Sequence, residues 1–425
     1  MTDINQKKLR VAVVGGGMFF EEVIGQAVMD FERYGIAPYL GDIGQGAWAR
    51  DLAGVDVEFV AIGTHSPERG TAGKICDWYR EGVPDSEILP FYGDTVWEDM
   101  ICDAEPDVLI VATPDDLHYP PIMGALAHGV DVITEKPLCL VLEQADEIIT
   151  AADENDLVVS CDMHKRYDPM NVKLFREILP RMGDVNYVRA VLEEPLEVST
   201  EIFKWASRSN PFSYVGCHWT DVVHYYLGVE PVSLHATGQK KLLANWVDPK
   251  TGEPAPIDTF DTIQVKVTYE DGMEALYVNA WVNPADFEGP VNQEIKVFGT
   301  LGSAFMDQQD RGLRYAIAGE GSRTTNPFFN GLTPAYERFD EMKGYGKDSL
   351  TAGFSAIMRR RLLGVDREEL ESQYPTAASQ RSTVAMIEAA QTVADLNLAY
   401  SESGDGSPVT AFLGDGGIEI RDPLA

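Results

Sequence analysis

Short apolar runs alternate with longer helical patterns through the first 160 residues of the chain. Runs of this length and composition are typical of buried strands, and they are Leu9–Val14, Val57–Ile62, Asp107–Ala112, Val130–Thr134 and Leu157–Ser160. Helical patterns separate the last three runs, at Asp115–His128 and Val141–Asn155. Strands that alternate with helices predict right-handed crossovers and a doubly wound parallel sheet of the α/β class.

A pattern with period two appears in the second half of the chain. Apolar residues alternate over Ile263–Tyr269 and again over Met273–Tyr277, with Asp271-Gly272 between the two stretches. An Asp-Gly pair between alternating runs is a strong hairpin signal. A further strand is predicted at Gln293–Phe298. These elements indicate a second domain with antiparallel strands.

Composition limits the partners more than the fold. The chain has 425 residues and a formal net charge of −34, so its field repels nucleic acids and anionic membranes. No apolar run approaches the ~20 residues that span a bilayer, and the first ten residues lack the apolar stretch of a signal peptide. We therefore expect a soluble, cytoplasmic protein. The cysteines have no metal-ligand spacing, and no metal site is predicted.

The first strand leads into Gly15-Gly16-Gly17. Glycines at the first and third of these positions allow a tight turn and let backbone N–H groups approach a pyrophosphate at a helix N-terminus. Phe20 replaces the last glycine of the usual GxGxxG pattern, so the signal depends on its place between a strand and a helix. We expect a dinucleotide held by Gly15, Gly17 and Met18.

The adenosine end of this predicted site is less regular. An acidic residue usually accepts the ribose hydroxyls, but Thr64 occupies the position after the second strand. Thr64, Ser66 and Arg69 suit the 2′-phosphate of NADP, or they are ordinary turn residues. NAD is the expected cofactor, with NADP as the alternative.

Glu135-Lys136-Pro137 directly follows the fourth apolar run. The carboxyl ends of parallel strands face the ligand crevice, so Lys136 is aimed at a bound dinucleotide and its substrate. The alternative is a solvated strand end that a proline terminates. His164, Lys165 and Arg166 follow the fifth run. Their cations suit an anionic substrate group, or they form ion pairs with Asp162 and Asp168.

A helix predicted over 213–227 carries the candidate proton-transfer groups. Tyr214, His218, Asp221 and Tyr225 are spaced to lie on one stripe of this helix. His218 suits proton transfer because a neutral imidazole is available near neutral pH. The alternative is a buried His218–Asp221 pair that only braces the helix.

Three motifs, in their order and spacing, resemble the glucose–fructose oxidoreductase and inositol dehydrogenase family (Gfo/Idh/MocA). They are Ala112-Thr113-Pro114 followed by His118, Glu135-Lys136-Pro137-Leu138, and His164-Lys165-Arg166-Tyr167-Asp168-Pro169. The resemblance implies a Rossmann domain over residues 1–162 and a second α/β domain with an open, largely antiparallel sheet over 163–425. It also implies a homo-dimer or homo-tetramer, in which another subunit covers the open sheet face.

The resemblance further implies the roles of single residues. Cofactor contacts are expected at Thr113, Pro114, His118, Glu135 and Lys136. Substrate contacts are expected at His164, Lys165 and Arg166. Catalytic roles are expected for Lys136, His218 and Asp221. Tyr214 is a further catalytic candidate from the residues themselves, to orient His218, contact the substrate or assist proton transfer. Many family members have an aspartate four residues before the catalytic histidine, where this chain has Tyr214, so the identity of the base stays open.

Two activities follow from these expectations. The first is an NAD(P)-dependent oxidoreductase that transfers a hydride between nicotinamide and a secondary alcohol of a sugar, polyol or glycoside. The second is a redox-neutral NAD-dependent glycosidase, which oxidises a sugar transiently, eliminates the aglycone and reduces the sugar again. Tyr214 favours the second as a base, and Lys165 with Arg166 would suit an acidic or sulfonated sugar.

Overall fold

The computed structural model describes residues 7–284, 287, 291–318, 321–333 and 341–422. Within these residues the chain forms two compact units. No helix in this described part is long and apolar enough to cross a membrane.

The strands are β1 (Lys7–Val14), β2 (Val55–Thr64), β3 (Leu89–Tyr92), β4 (Val108–Val111), β5 (Asp131–Thr134), β6 (Val159–Cys161), β7 (Val185–Pro195), β8 (Pro231–Gln239), β9 (Thr262–Tyr269), β10 (Glu274–Asn283), β11 (Asn292–Gly299), β12 (Ser303–Asp307), β13 (Arg314–Ile317), β14 (Gly321–Thr324), β15 (Gly331–Leu332), β16 (Met342–Lys343), β17 (Thr410–Gly414) and β18 (Gly417–Arg421). The α-helices are α1 (Gly25–Tyr34), α2 (Ala49–Leu52), α3 (Thr71–Gly82), α4 (Val96–Ala104), α5 (Tyr119–Ala127), α6 (Leu142–Asn155), α7 (Pro169–Val172), α8 (Cys217–Leu227), α9 (Tyr345–Leu363), α10 (Arg367–Leu370) and α11 (Ala377–Ser403).

The first unit is built on a sheet with the strand order β3-β2-β1-β4-β5-β6. Its strand pairs are parallel. Strands β4 and β5 are buried along their whole length, as expected for a sheet that is covered on both faces. The predicted doubly wound sheet is confirmed. The apolar pattern missed β3, because this strand lies at the sheet edge and its first two residues are exposed.

The second unit is built on a sheet with the strand order β12-β11-β7-β10-β9-β8-β17-β18. Strands β7 and β10 pair in parallel, and the other pairs in the described part of this sheet are antiparallel. The predicted hairpin joins β9 and β10 at Asp271-Gly272, where Gly272 has a φ of 86°. The open, largely antiparallel sheet is confirmed.

The first unit is not continuous along the chain. Its residues fall within Met1–Cys139, Glu143–Asp168 and Phe328–Gln380. The last segment carries α9, which is buried from Tyr345 to Arg359 except at Asp348. The rings of Phe354 in α9 and Phe31 in α1 lie 5.0 Å apart between centroids. Helix α9 is therefore part of the core of the first unit.

A buried ion pair fixes α9 against α1. Lys347 Nζ lies 2.7 Å from Asp30 Oδ2, and the two side chains are only 2% and 0% exposed. Asp30 also accepts the Met342 N–H at 2.9 Å, and Lys347 Nζ lies 3.4 Å from the centre of the Tyr39 ring. A buried ion pair needs such additional contacts because they compensate for the lost hydration of its charges.

We expect Lys347→Met to lower the free energy of unfolding of the first unit by about 3–5 kcal/mol, because Asp30 is left as an uncompensated buried charge. The double variant Asp30→Leu/Lys347→Met removes both charges and should regain most of this loss. Urea unfolding followed by circular dichroism measures both values. Lys266→Met is the control, since its pair with Glu274 is about half exposed and such pairs contribute about 0–1 kcal/mol. Equal losses in the two single variants would contradict the expectation.

Candidate active site

The loop after β1 is shaped by neighbouring strands. Gly15 donates its N–H to the Gly63 carbonyl at 2.9 Å and has a φ of 106°. A Cβ at Gly15 would lie 2.1 Å from the Ala112 carbonyl oxygen, and one at Gly16 would lie 2.7 Å from Ile75 Cδ1. Protein contacts therefore account for the first two glycines.

Gly17 differs from these two neighbours. A Cβ at Gly17 would meet nothing within 4 Å, so packing against the protein does not require glycine here. Close approach of a ligand to the loop N–H groups would require it. Helical turns follow at Phe20–Ile24 and continue into α1. The loop thus fits the pyrophosphate of a dinucleotide at a helix N-terminus.

Phe20, which replaces the last glycine of the motif, belongs to the core. Its side chain is 1% exposed, and its ring centroid lies 6.4 Å from those of both Phe59 and Trp78. Met18 is 37% exposed. Of these two residues, only Met18 is accessible to a ligand at the loop.

The segment after β2 presents groups suited to a ribose. Thr64 ends β2, and among the described residues its buried Oγ1 has no hydrogen-bond partner. A sugar hydroxyl of the cofactor would complete the bonding of this atom. Ser66 donates to Glu68 Oε2 at 2.8 Å, and Arg69 is exposed. Thr64 occupies the position where an acidic residue usually accepts the ribose hydroxyls. In this chain the Glu68 carboxylate supplies negative charge in the same segment.

His118 ties the segments after β4 and β5 together. Its ring is 1% exposed, with Nδ1 2.7 Å from the Pro137 carbonyl oxygen and Nε2 3.0 Å from that of Thr113. Burial lowers the pKa of His118 to about 4, so its ring is neutral at physiological pH. His118 therefore holds the Thr113-Pro114 turn against Lys136-Pro137 through the backbone.

Lys136 lies directly beyond β5 and is only 6% exposed. The preceding residue, Glu135, donates its N–H to the Val111 carbonyl at the end of β4, at 2.8 Å. A solvated strand end would be exposed, whereas this lysine is buried. Buried ionisable groups at a sheet edge are typical of functional sites.

His164 follows β6 and lies inside an aromatic cluster. Its ring centroid is 5.8 Å from that of Phe19, 5.1 Å from that of Phe329 and 5.8 Å from that of Tyr345. Burial, followed by the positive charges of the neighbouring lysines, brings the pKa of His164 well below its usual value. His164 is therefore a neutral ring next to the glycine loop.

The two cations beside His164 are also buried. Lys165 and Arg166 are 4% and 6% exposed, and Arg166 donates to Ser379 Oγ at 3.2 Å. Arg166 thus has a contact that supports the fold of the first unit. Neither cation lies on a solvated surface.

In the second unit, Asn210 initiates the helical region that leads to α8. Its Oδ1 accepts the N–H groups of Phe212 and Ser213 at 2.8 and 3.0 Å, which is a capping arrangement. A π-helical turn of five residues follows, and α8 begins after it. Trp219 Nε1 donates to the Val191 carbonyl at 2.9 Å, which anchors α8 on β7.

His218 and Asp221 lie on α8 and are 5% and 1% exposed. Tyr214 lies in the π-helical turn before them. Tyr225, near the end of α8, accepts a hydrogen bond from Arg176 Nη2 at 3.1 Å. The imidazole and the carboxylate are therefore the most deeply buried polar groups of the predicted stripe.

Tyr214 is surrounded by aromatic rings of the second unit. Its ring centroid lies 4.6 Å from that of Phe203, 5.6 Å from that of Trp205 and 6.2 Å from that of Trp281. Phe203 also lines a cavity of about 470 Å³, together with Trp246 and several polar residues. Aromatic faces beside polar groups are a common lining of ligand pockets.

The structure gathers the predicted residues in two groups. In the first unit, the glycine loop and the residues after β2, β4, β5 and β6 follow the carboxyl ends of one parallel sheet. In the second unit, Tyr214, His218 and Asp221 lie on α8 and in the turn before it. Sequence reasoning missed Phe329 and Tyr345, because no local pattern indicates that their segment packs in the first unit.

This arrangement defines the first unit as a dinucleotide-binding domain of the Rossmann type. Residues 9–163 match the oxidoreductase family with an NAD-binding Rossmann fold, and residues 180–305 match the GFO/IDH/MocA C-terminal domain. Together the two matches cover more than half of the chain. The chain belongs to the Gfo/Idh/MocA family of oxidoreductases.

Curated relatives match parts of the chain. The oxidoreductase YteT of Bacillus subtilis is 29% identical over 165 residues, which are 37% of this chain and 39% of YteT. The 2,7-anhydro-N-acetylneuraminate hydratase of Mediterraneibacter gnavus is 27% identical over 175 residues, which are 37% of this chain and 46% of the hydratase. Inositol 2-dehydrogenase of Rhizobium meliloti is 24% identical over 265 residues, which are 59% of this chain and 76% of that protein. The chain thus spans less than half the length of YteT and of the hydratase.

A solved structure shares the fold over nearly the whole chain. Scyllo-inositol dehydrogenase from Lactobacillus casei, solved with NAD(H) and scyllo-inositol, is similar with a TM-score of 0.61 and 18% identity. The match covers 92% of this chain and 98% of that one. At this identity the likeness establishes the fold alone.

Two glycine variants should separate folding from cofactor binding. We expect Gly15→Ala to lower the free energy of unfolding by at least about 2 kcal/mol, because the new Cβ meets the Ala112 carbonyl at a positive φ. Gly17→Ala meets open space, so stability should change by less than ~0.5 kcal/mol, while NAD affinity falls about tenfold or more. Thermal unfolding and calorimetric titration with NAD measure the two effects. Undiminished NAD affinity in Gly17→Ala would contradict the assigned loop.

Proposed function

We propose that the protein transfers a hydride between NAD and a secondary alcohol of a sugar, polyol or glycoside. The observation that carries the proposal is the buried Lys136, placed at the same sheet edge as a glycine loop that fits a dinucleotide. Similarity to inositol 2-dehydrogenase supports the substrate class. Bound NAD supplies the hydride acceptor or donor.

In this proposal Lys136 binds and polarises the reacting oxygen of the substrate. An ammonium group is a compact charge with three donors, and a buried one acts with little screening by water. His118 and His164 are neutral neighbours of this lysine. The cation therefore stabilises the negative charge on the oxygen, which develops as the hydroxyl proton leaves in oxidation or as hydride adds to the carbonyl in reduction.

His218 accepts the hydroxyl proton in the direction of oxidation and returns it in the direction of reduction. Histidine suits both steps near physiological pH, because its neutral imidazole can accept the proton and the resulting imidazolium can return it. Asp221, one turn further along α8, orients His218 or binds a substrate hydroxyl. Tyr214 contacts the substrate through its phenol, with its ring held by the aromatic cluster around Phe203.

We further propose NAD rather than NADP as the cofactor. Ser66 already donates to Glu68, and Asp94 lies 2.7 Å from His65 in the same region. Carboxylates near the end of β2 favour ribose hydroxyls and repel a 2′-phosphate. Arg69 alone would not offset both negative charges.

Lys136→Ala and His218→Ala test the two main assignments. We expect His218→Ala to lower turnover by about 10²–10⁴-fold, the range for loss of a proton-transfer group. Lys136→Ala should lower it by about 10²–10³-fold, the range for loss of a group that stabilises charge in the transition state. NAD affinity should stay nearly unchanged in both. NADH formation with a panel of inositols, aldoses and methyl glycosides measures turnover, with NAD and NADP offered in parallel. His224→Ala on the same helix is the control, because its ring contacts the Val229 carbonyl. Wild-type turnover in both Lys136→Ala and His218→Ala would contradict the proposal.

A second candidate function is redox-neutral cleavage of a glycoside. In this reaction the sugar is oxidised transiently, a neighbouring C–H is deprotonated and the aglycone leaves by elimination. Water then adds to the unsaturated sugar, and the hydride returns to the oxidised carbon. Tyr214 favours this candidate because a phenol stands where many family members have an aspartate. Similarity to a sugar-acid hydratase also favours it, as do the buried cations Lys165 and Arg166, which suit an acidic or sulfonated sugar.

Aryl glycosides with catalytic amounts of NAD distinguish the two candidates. Release of the aglycone without net NADH would support cleavage, whereas stoichiometric NADH would support the dehydrogenase. If cleavage occurs, we expect Tyr214→Phe to slow aglycone release by about 10²-fold or more, since it removes the hydroxyl and keeps the packed ring. Unchanged release in Tyr214→Phe would exclude this tyrosine as the base.

A further inference from the structure

Two buried carboxyl groups lie side by side at the edge of the first sheet. Strands β5 and β6 pair in parallel with Thr134 opposite Cys161, and the Asp162 N–H donates to the Thr134 carbonyl at 2.7 Å. The next residues, Glu135 and Asp162, therefore continue this register with side chains on the same face. Their exposure is 7% and 2%.

Helix α9 covers this pair with a hydroxyl group. Ser349 is 2% exposed, and it lies close enough to Asp162 to lower the pKa of that carboxyl. Among the described residues, no hydrogen bond of good geometry reaches either Asp162 oxygen or the Ser349 hydroxyl. Buried polar atoms are rarely left in this state. A hydrogen bond between the Glu135 and Asp162 carboxyl groups therefore needs a proton on one of them, which two ionised carboxylates do not have.

One shared proton satisfies this arrangement. Ionised carboxylates only accept hydrogen bonds, so two of them cannot bond to each other, whereas a carboxyl and a carboxylate can. Like charges in contact also oppose ionisation of the second group. The pair formed by Glu135 and Asp162 is thus stable with a single negative charge.

Lys136 is the cation that balances this charge. It acts electrostatically on both carboxyl groups. His118 and His164 also neighbour Lys136, and burial keeps both rings neutral. Lys165 adds positive charge near His164. The lysine and the singly charged acid pair together form a nearly neutral buried group, which avoids the high cost of an isolated buried charge.

We propose that Glu135 and Asp162 share one proton and act as a single counter-charge for Lys136, which makes Asp162 a positioning residue for that lysine. The importance of this arrangement for catalysis rests on the proposed function of Lys136. The shared proton itself does not depend on that function.

The titration of the pair follows from burial. Burial, more than any other effect, raises the pKa of Asp162 from 3.8 to about 6, and it raises that of Glu135 well above 4.5, with further help from the Asp162 charge. The folded protein therefore binds more protons here than the unfolded chain. Stability from the pair is fully present below about pH 4 and is lost as the pH rises through about 6 and beyond.

The first test is the pH dependence of the melting temperature. In Asp162→Asn, Glu135 remains as the ionised counter-charge of Lys136, so the pKa of Glu135 in the folded protein falls. Less stability is then lost as the pH rises. We expect the melting temperature of the wild type to decrease more steeply with pH than that of Asp162→Asn. Burial also raises the pKa of Asp348, to about 7, and its charged neighbours are Asp42, Lys343 and Lys347. Asp348→Asn should therefore also flatten the slope, and it calibrates the effect of removing one buried carboxyl outside the pair. Identical slopes in the wild type and Asp162→Asn would overturn the proposal.

The second test reads the charge of Lys136 without turnover. Reductive methylation requires the neutral amine, so the methylation rate of the Lys136 peptide, followed by mass spectrometry across a pH series, reports its protonation. In Asp162→Asn and in Glu135→Gln, one carboxylate remains to balance the charge of Lys136. Each single variant should therefore shift the pH profile of the methylation rate only slightly. The double variant Glu135→Gln/Asp162→Asn should move this pH profile to clearly lower pH. The control Asp348→Asn should leave the profile unchanged. If the profile shifts of the two single variants add up to the shift of the double variant, the proposal of a shared counter-charge is overturned.

Turnover separates this proposal from the proposed function. If Lys136→Ala retains full turnover, the catalytic assignment fails, while the methylation profiles still decide on the acid pair. If Lys136→Ala is inactive, we expect the double variant to lose about 10²-fold or more of turnover and clearly more than the product of the two single losses, because one carboxylate remains in each single variant to balance Lys136. An additive double variant would overturn the pair as a positioning device.

Discussion

The parallel register of the first sheet is the constraint on which the candidate site depends. Because all its strands run in one direction, the residues that follow them meet at the same edge. Backbone hydrogen bonds fix the strand ends to one another, and they join Gly15 to Gly63, Glu135 to Val111 and Asp162 to Thr134. A slip of one residue between β5 and β6 would move Asp162 to the opposite face from Glu135. The same pairing thus sets the fold and the chemistry.

Local patterns predicted the parts of the structure that depend on local physics. Apolar runs indicated five of the strands in the first sheet, and Asp271-Gly272 indicated the hairpin between β9 and β10. Both signals arise within a few residues, because burial alternates or persists along one strand. The motif around Lys136 likewise placed this lysine at a strand end, which the structure confirms. Its catalytic role remains a proposal.

The remaining features arise from contacts between distant residues. Asp30 and Lys347 are separated by 317 positions in the sequence, so no periodicity connects them. Asp162 looked like an ion-pair partner for neighbouring cations, and only the pairing of β5 with β6 places it beside Glu135. Strand β3 was missed for another reason, since an edge strand with exposed residues lacks the apolar run of a buried one.

The return of α9 to the first unit affects the order in which the protein can fold during synthesis. Residues 169–327 of the second unit leave the ribosome before α9 does, so the nascent first unit lacks Lys347 while Asp30 is already in place. A fragment that ends near residue 168 contains every strand of the parallel sheet, yet it exposes the apolar surface that Phe354 covers in the complete chain. Such a fragment is therefore prone to aggregate. An independent cofactor-binding module from this protein needs residues 328–380 joined back to it.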